Sequence, residues 1–255
     1  MDEISNPPSM FVVFLGTAGS GKTSLVSSFH DWLEGLGLMV GIANLDPGCR
    51  TTPYRSDFDV RDFFTVEKLM EDMGLGPNGA MVRAVELIEP ILDGLSERFG
   101  AGDLWLVDTP GQSELFVFRR VGPKVIEALN RWAPAVSVYL VDPELAESPS
   151  GLVSSFSLAL AARLRVSSPL LLVLSKGDII GEDVMRMCSD MDYLRERILG
   201  EGVGSLTDLA LGLLDLMRDL ALAQRTVKVS ARTREGLPEL YDLIHESLCE
   251  CGDLT

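Results

Sequence analysis

Histidine and cysteine are scarce in this 255-residue chain: His30 and His245 are the two histidines, and Cys49, Cys188, Cys249 and Cys251 the four cysteines. No cysteine pair has the C-x-x-C spacing of a zinc or redox site, and two histidines are too few to complete one. Cys249 and Cys251, two residues apart, receive no role. Basic charge is also short: 22 Lys and Arg against 38 Asp and Glu leave a formal net charge of −16. So acidic a chain lacks the electrostatic footprint that a nucleic-acid backbone requires, and no direct nucleic-acid partner is expected. No apolar run reaches the ~18 residues of a membrane span. The opening MDEISNPPS is acidic and short, unlike a secretory signal. A cytoplasmic protein with no membrane contact and reduced thiols is the expectation.

What the chain has is hydrophobic residues, 46% of the total, set in a regular alternation. Short apolar runs rich in β-branched residues stand at 10–15, 39–45, 103–108, 135–141, 169–175 and 226–230. Between them, helical periodicity predicts helices near 21–36, 65–73, 80–99, 113–131, 150–166, 183–199, 206–224 and 235–249. This pattern predicts one α/β domain over 1–255, a doubly wound and mostly parallel sheet of about six strands. Extra helices around 65–99 and 183–224 exceed what a minimal mononucleotide fold needs and are expected to be insertions. One oddity stands in the first of them: Gly76-Pro77-Asn78-Gly79 interrupts two helical stretches.

The first strand runs directly into GTAGSGKT at 16–23, which matches G-x-x-x-x-G-K-[ST] between a strand and a helix. Glycines there let backbone N–H groups curl around phosphate oxygens, a lysine supplies point charge, and a threonine hydroxyl can ligate Mg²⁺. Gly16, Thr17, Ala18, Gly19, Ser20, Gly21, Lys22, Thr23 and Ser24 are therefore expected to hold the phosphates, with Thr23 also on the metal. The third strand delivers DTPGQ at 108–112, so Asp108 is placed to hold Mg²⁺ and the Gly111 N–H to sense a γ-phosphate. In isolation the same five residues could form only a turn.

SKGD at 175–178 caps the fifth strand. A carboxylate there accepts from both N1–H and the 2-amino group of guanine, which adenine cannot offer, while a lysine stem covers the base. Ser175, Lys176 and Asp178 are the expected base contacts. Ser230 and Ala231, after the last strand, offer a second contact through the Ala231 N–H.

With GTAGSGKT, NLDPG (44–48), GPNG (76–79), DTPGQ, SKGD and SARTREG (230–236) in this order, the chain resembles the GPN-loop GTPases, most closely their archaeal form. That form also tends to end in a Cys-rich tail like CECGDLT (249–255). The resemblance implies a dimeric P-loop GTPase of the SIMIBI class that binds GTP or GDP with Mg²⁺ as a homodimer. The usual Asn of the guanine motif is replaced here by Ser175, although the discriminating Asp178 is present. In the family the GPN loop crosses the dimer axis and points its Asn, here Asn78, at the partner's nucleotide. Pro77 between two glycines suits a tight, protruding loop. By the same resemblance Asp46 orients the attacking water and stands beside the metal, although Asp-Pro-Gly also forms an Asx turn readily. Gln112 could share the water. DVRDF (59–63) resembles the family's switch region, with no role derived.

Eukaryotic relatives are associated with RNA polymerase assembly, and a protein client of that kind is implied by resemblance alone. Two functions remain open: a hydrolase with an assembly or chaperone-type cycle, or a nucleotide-switched scaffold with negligible turnover. A nucleotide kinase is the third, though it would not need DTPGQ, SKGD and SAR.

Overall fold

Runs such as MFVVFL and AVSVYLV have no polar face, and only a sheet covered on both sides accommodates them. In the computed structural model, which describes residues 8–94, 102–202, 204–221 and 226–252, they become the centre of such a sheet. Its strands are β1 (Met10–Gly16), β2 (Val40–Asn44), β3 (Phe58–Asp59), β4 (Leu104–Asp108), β5 (Ala135–Val141), β6 (Leu170–Leu174) and β7 (Val227–Lys228). The order is β3-β2-β4-β1-β5-β6-β7, seven strands, and every pairing is parallel. Six strands are expected from the sequence; the seventh is β3, whose two residues are too few to show a period. It pairs through Ala43 with Phe58 and Asn44 with Asp59.

Because alternate residues of a strand point to opposite faces, the sheet splits the core in two. Phe11, Val13, Leu15, Val107 and Tyr139 face one side, where α5 (Val121–Asn130) and α7 (Pro149–Arg163) cover them. Val12, Phe14, Leu106, Val138 and Val173 face the other, under α1 (Lys22–Gly35) and α11 (Leu237–Gly252). The side chains of Cys249 and Cys251 lie outside the described residues.

Helix boundaries depart from the periodicity where a local device cuts a long apolar pattern. The stretch expected as one helix over 113–131 is α4 (Ser113–Val117) followed by α5. A Cβ on Gly122 would meet the Phe116 carbonyl oxygen at 2.4 Å, so the two segments cross too closely to be continuous. The four-residue helix Pro143–Ala146 precedes α7 and is labelled α6. The stretch at 183–199 is α8 (Glu182–Ser189) and α9 (Met191–Glu201), split at Asp190, whose carboxylate caps α9 by accepting from the Asp192 and Tyr193 N–H groups. Ser205–Ala221 forms α10.

The GPN stretch is corrected most. It is not a loop separating helices over 65–73 and 80–99, because the second helix already begins at Pro77. Gly74, in the left-handed region at φ 62°, ends α2 (Val66–Met73), Gly76 is the N-cap of the next helix, and Pro77 is its first residue. Proline is at home there because its missing N–H would have had no intrahelical partner and its φ is already helical. Asn78 and Gly79 are thus the first turn of α3 (Pro77–Glu86). A 3₁₀ turn over Glu89–Gly94 follows, and the rest of the expected helix falls largely outside the described residues. Leu69 of α2 packs on Ala80 and Ala84 of α3, making the two helices one small unit. Among the described residues no helix is long and apolar enough to cross a membrane.

Gly236 leads into α11 at φ +78°, and an added Cβ would lie 1.9 Å from the Lys228 carbonyl oxygen. Gly236→Ala is expected to cost about 2–4 kcal/mol through strain and displacement of β7. Gly212→Ala, inside α10 with nothing within 4 Å of the added atom, should instead stabilise by about 0.5–1 kcal/mol. Urea unfolding of both variants checks the contrast.

Candidate functional site

Because all strands run the same way, their last residues reach a common edge, and the sequence motifs follow those ends. After β1 the chain turns through Gly16, Gly19 and Gly21, all at positive φ, into α1. A Cβ on Gly16 would lie 2.6 Å from the Leu140 carbonyl oxygen and 2.7 Å from Ser20 Oγ, so only glycine fits so close to β5. Lys22 is buried, and its Nζ donates to the carbonyl oxygens of Gly16 (2.7 Å), Thr17 (2.9 Å) and Gly111 (3.2 Å). Ser20 Oγ is buried with no hydrogen-bond partner.

Asp108, at the end of β4, is wholly buried. Its Oδ2 accepts from the Tyr54 hydroxyl at 2.6 Å, and its Oδ1 has no hydrogen-bond partner. Burial pushes its carboxyl up to about 6, against the pull of the Tyr54 and Thr23 hydroxyls, with the negative Asp46 adding to the rise. Tyr54 in turn is held far above the usual phenol range by burial and by Asp108. A buried carboxylate oxygen left without a donor, beside a threonine hydroxyl, is a set of hard oxygen ligands that suits Mg²⁺, which takes one or two carboxylates and fills its shell from phosphate and water. The residues present fit the ion.

Asp46 joins two loops. Its Oδ1 accepts from the Gly48 N–H at 2.8 Å, the expected Asx turn, and its Oδ2 accepts from the Gly111 N–H at 3.2 Å. Its own N–H donates to Asn44 Oδ1 at 3.0 Å, while Asn44 Nδ2 donates to Asp59 Oδ1 at 3.1 Å. Asp59 accepts further from Ser56 Oγ and from Arg61, whose Nη2 lies at 2.6 Å. Burial opposes ionisation of Asp59, but the hydrogen bonds from Arg61, Ser56 and Asn44 together outweigh it and hold the carboxyl below its usual range. Arg61 Nη1 also donates to the Cys49 and Arg50 carbonyls. The DVRDF stretch therefore staples the NLDPG loop. That loop also rests on α2 and α3: Val66 N–H donates to the Pro47 carbonyl, and a Cβ on Gly48 would lie 2.5 Å from Met81 Cε.

At the other end, Ser175 is buried and donates from Oγ to the Val141 carbonyl at 2.9 Å, bracing β6 to β5. Lys176 is in the left-handed region at φ 51° and its Nζ donates to both carboxylate oxygens of Asp142 at 3.1 and 3.0 Å. Asp178 Oδ1 accepts from Ser230 Oγ at 2.7 Å, which holds its carboxyl below the usual range. Ser230 Oγ accepts from the Arg232 and Thr233 N–H groups, so the two loops are locked together. A cavity of about 720 Å³ connects these parts, lined by Gly19, Gly21 and Ser24 at one end and by Lys176, Asp178 and Ala231 at the other.

The structure thus brings Gly16–Ser24, Asp46, Asp108 and Gly111 together, and Ser175, Lys176, Asp178 and Ala231 around one cavity, with the buried Ser230 bonded to Asp178 behind it. Gln112 is exposed at the N-cap of α4 and makes no capping bond, and Asn78 is exposed at the start of α3. The sequence reading missed Tyr54 and Asp142, and it held Asn44 and Arg61 only within NLDPG and DVRDF, without a role of their own. Of the two missed, Asp142 carried a usable signal, an acid directly after a buried strand.

A family model described as "Conserved hypothetical ATP binding protein" matches residues 14–250. The chain is 37% identical over 255 residues to a GPN-loop GTPase of Pyrococcus abyssi, covering 96% of this chain and 100% of that one. It is 28% identical to GPN-loop GTPase 2 of Danio rerio, over 98% of this chain and 85% of the other. Its fold superposes on the apo crystal structure of a Pyrococcus abyssi GTPase with a TM-score of 0.83 at 34% identity, covering 94% and 98% of the two chains. A plasmid partition protein of Borrelia burgdorferi, 12% identical with a TM-score of 0.51 over 96% and 99%, shares the fold alone.

Arg61→Ala leaves the buried Asp59 without its two guanidinium donors out of five, which should cost about 2–3 kcal/mol at neutral pH. Because Asp59 is held low when folded, the stability it contributes is present above its unfolded pKa and lost as pH falls through its folded one. The gap between variant and wild type should accordingly narrow in acid, as followed by chemical denaturation from neutral pH downward.

Proposed function

The chain belongs to the GPN-loop GTPases, and from that premise we propose that it binds GTP in the cavity between GTAGSGKT and SKGD and hydrolyses it as a Mg²⁺-dependent, cytoplasmic homodimer. The family model's description names ATP and the relatives' names give GTP. Asp178 favours the second, since its carboxylate, held by Ser230 at the cavity's far end, accepts from guanine N1–H and the 2-amino group. Adenine places an acceptor there and would leave the carboxylate unpaired. This placement of Asp178 opposite the phosphate loop carries the reading.

In the proposed reaction Lys22 moves from its carbonyl collar onto the β and γ phosphates, whose charge it neutralises. Thr23 and Asp108, with Asp46 nearby, would hold Mg²⁺, which would supply further charge neutralisation. The Gly111 N–H turns to the γ-phosphate, which frees Asp46 Oδ2 to accept from the attacking water, with Gln112 in reserve. Asn78, exposed on one protomer, donates to the nucleotide of the other. Such a cycle suits an assembly or chaperone-type switch, in which bound nucleotide sets the shape of the dimer.

Calorimetry with GTP and ATP tests the base site: a preference for GTP on the order of 10⁴ is expected, and equal binding would sink it. Asp178→Asn should move the preference to xanthosine triphosphate, whose 2-oxo group accepts where guanine donates.

Mixing Asn78→Ala subunits with Asp46→Ala subunits tests the contribution across the dimer. Each variant alone is expected to lose on the order of 10²-fold in turnover. In a mixed dimer one site lacks both groups and the other keeps both, so activity should return toward half of wild type per mixed dimer. No recovery means that Asn78 does not act on the partner's nucleotide.

A further inference from the structure

Asp108 is the one residue of the proposed metal site whose backbone is fixed by neighbours on both sides, pairing with Phe14 of β1 and Asn44 of β2. Only its side-chain torsions remain free, and these decide which carboxylate oxygen is left open. Tyr54 settles the matter: its hydroxyl donates to Oδ2 at 2.6 Å, and Oδ1 is buried without a hydrogen-bond partner.

Tyr54 is itself fixed from several directions. Its ring packs on the core beneath α1. Its carbonyl oxygen accepts from Thr52 Oγ1 at 3.0 Å, and that Oγ1 accepts from Arg61 Nη2 at 3.5 Å. The preceding residue, Pro53, accepts from Ser27 Oγ of α1 at 3.5 Å and lines the nucleotide cavity. A phenol so held is a rigid donor.

We infer that Tyr54 is a positioning residue for the metal: by occupying Oδ2 of Asp108 it aims Oδ1 at the ion that Thr23 and Asp108 would hold. The inference rests on the Mg²⁺ reading above. Partners behind metal ligands fix ligand orientation, and their loss commonly weakens metal binding by 10–100-fold. Tyr54→Phe removes the donor and keeps the ring, so Asp108 Oδ2 would lie buried and unpaired, and the carboxylate would be free to turn.

The test follows release of a fluorescent GDP from the full-length protein as Mg²⁺ is titrated from chelator to millimolar, for wild type, Asp108→Asn and Tyr54→Phe. Wild type should release GDP more slowly as Mg²⁺ rises, and Asp108→Asn should lose that response. Tyr54→Phe should keep the response with its Mg²⁺ midpoint raised about tenfold, a larger effect than any change in its metal-free rate. A loosened fold would instead alter release with and without the ion alike. A Tyr54→Phe midpoint equal to wild type overturns the positioning role and leaves the metal reading standing. Wild-type release indifferent to Mg²⁺ overturns the metal reading, and the role of Tyr54 with it.

Discussion

Burial of one sheet on both faces is the constraint from which the site follows. Strands without a polar side can pair side by side only if helices cover them above and below, and parallel pairing with helical crossovers provides that. A parallel sheet then places every strand end at the same edge. Gly16, Asn44, Asp59 and Asp108 arrive there together, and the residues just past the other ends, Asp142, Ser175 and Ser230, join them. A crevice at that edge is where open α/β sheets take their ligands.

That edge buries an unusual amount of polarity: Lys22, Asn44, Asp59, Asp108 and Asp142 are each less than a tenth exposed. Desolvating such groups is tolerable only when partners replace water. Most have them, through the carbonyls around Lys22, the Asn44–Asp59–Arg61 chain and the Lys176–Asp142 pair. Among the described residues, two of the four buried side-chain atoms left without one, Ser20 Oγ and Asp108 Oδ1, lie at the GTAGSGKT end of the site.

Strand positions, fold class and the motif loops were legible because each rests on a local rule: continuous apolar runs, or glycines at fixed spacing before a helix. β3 was not, since two residues show no periodicity. The helix breaks at Gly122 and Asp190 depend on a close crossing and on a cap that compete with a pattern continuing past them. Gly76-Pro77 was seen as an interruption, yet the same residues are the normal opening of a helix, and only the phase of the following turn tells the two apart. Tyr54 escaped altogether, because its hydroxyl reaches Asp108 across 54 positions of sequence in a loop with no pattern of its own.

Gly48 has no side chain, and the Met81 methyl occupies the space where one would be. The turn that carries Asp46 is therefore geared to the second turn of α3, and through the shared contacts of Leu69, Ala80 and Ala84 to α2 as well. The two helices pack as one body, and Asn78 lies in the turn next to Met81. A displacement of the Asp46 turn would be felt first by the Met81 methyl, the pliable end of an unbranched side chain one helical turn from Asn78.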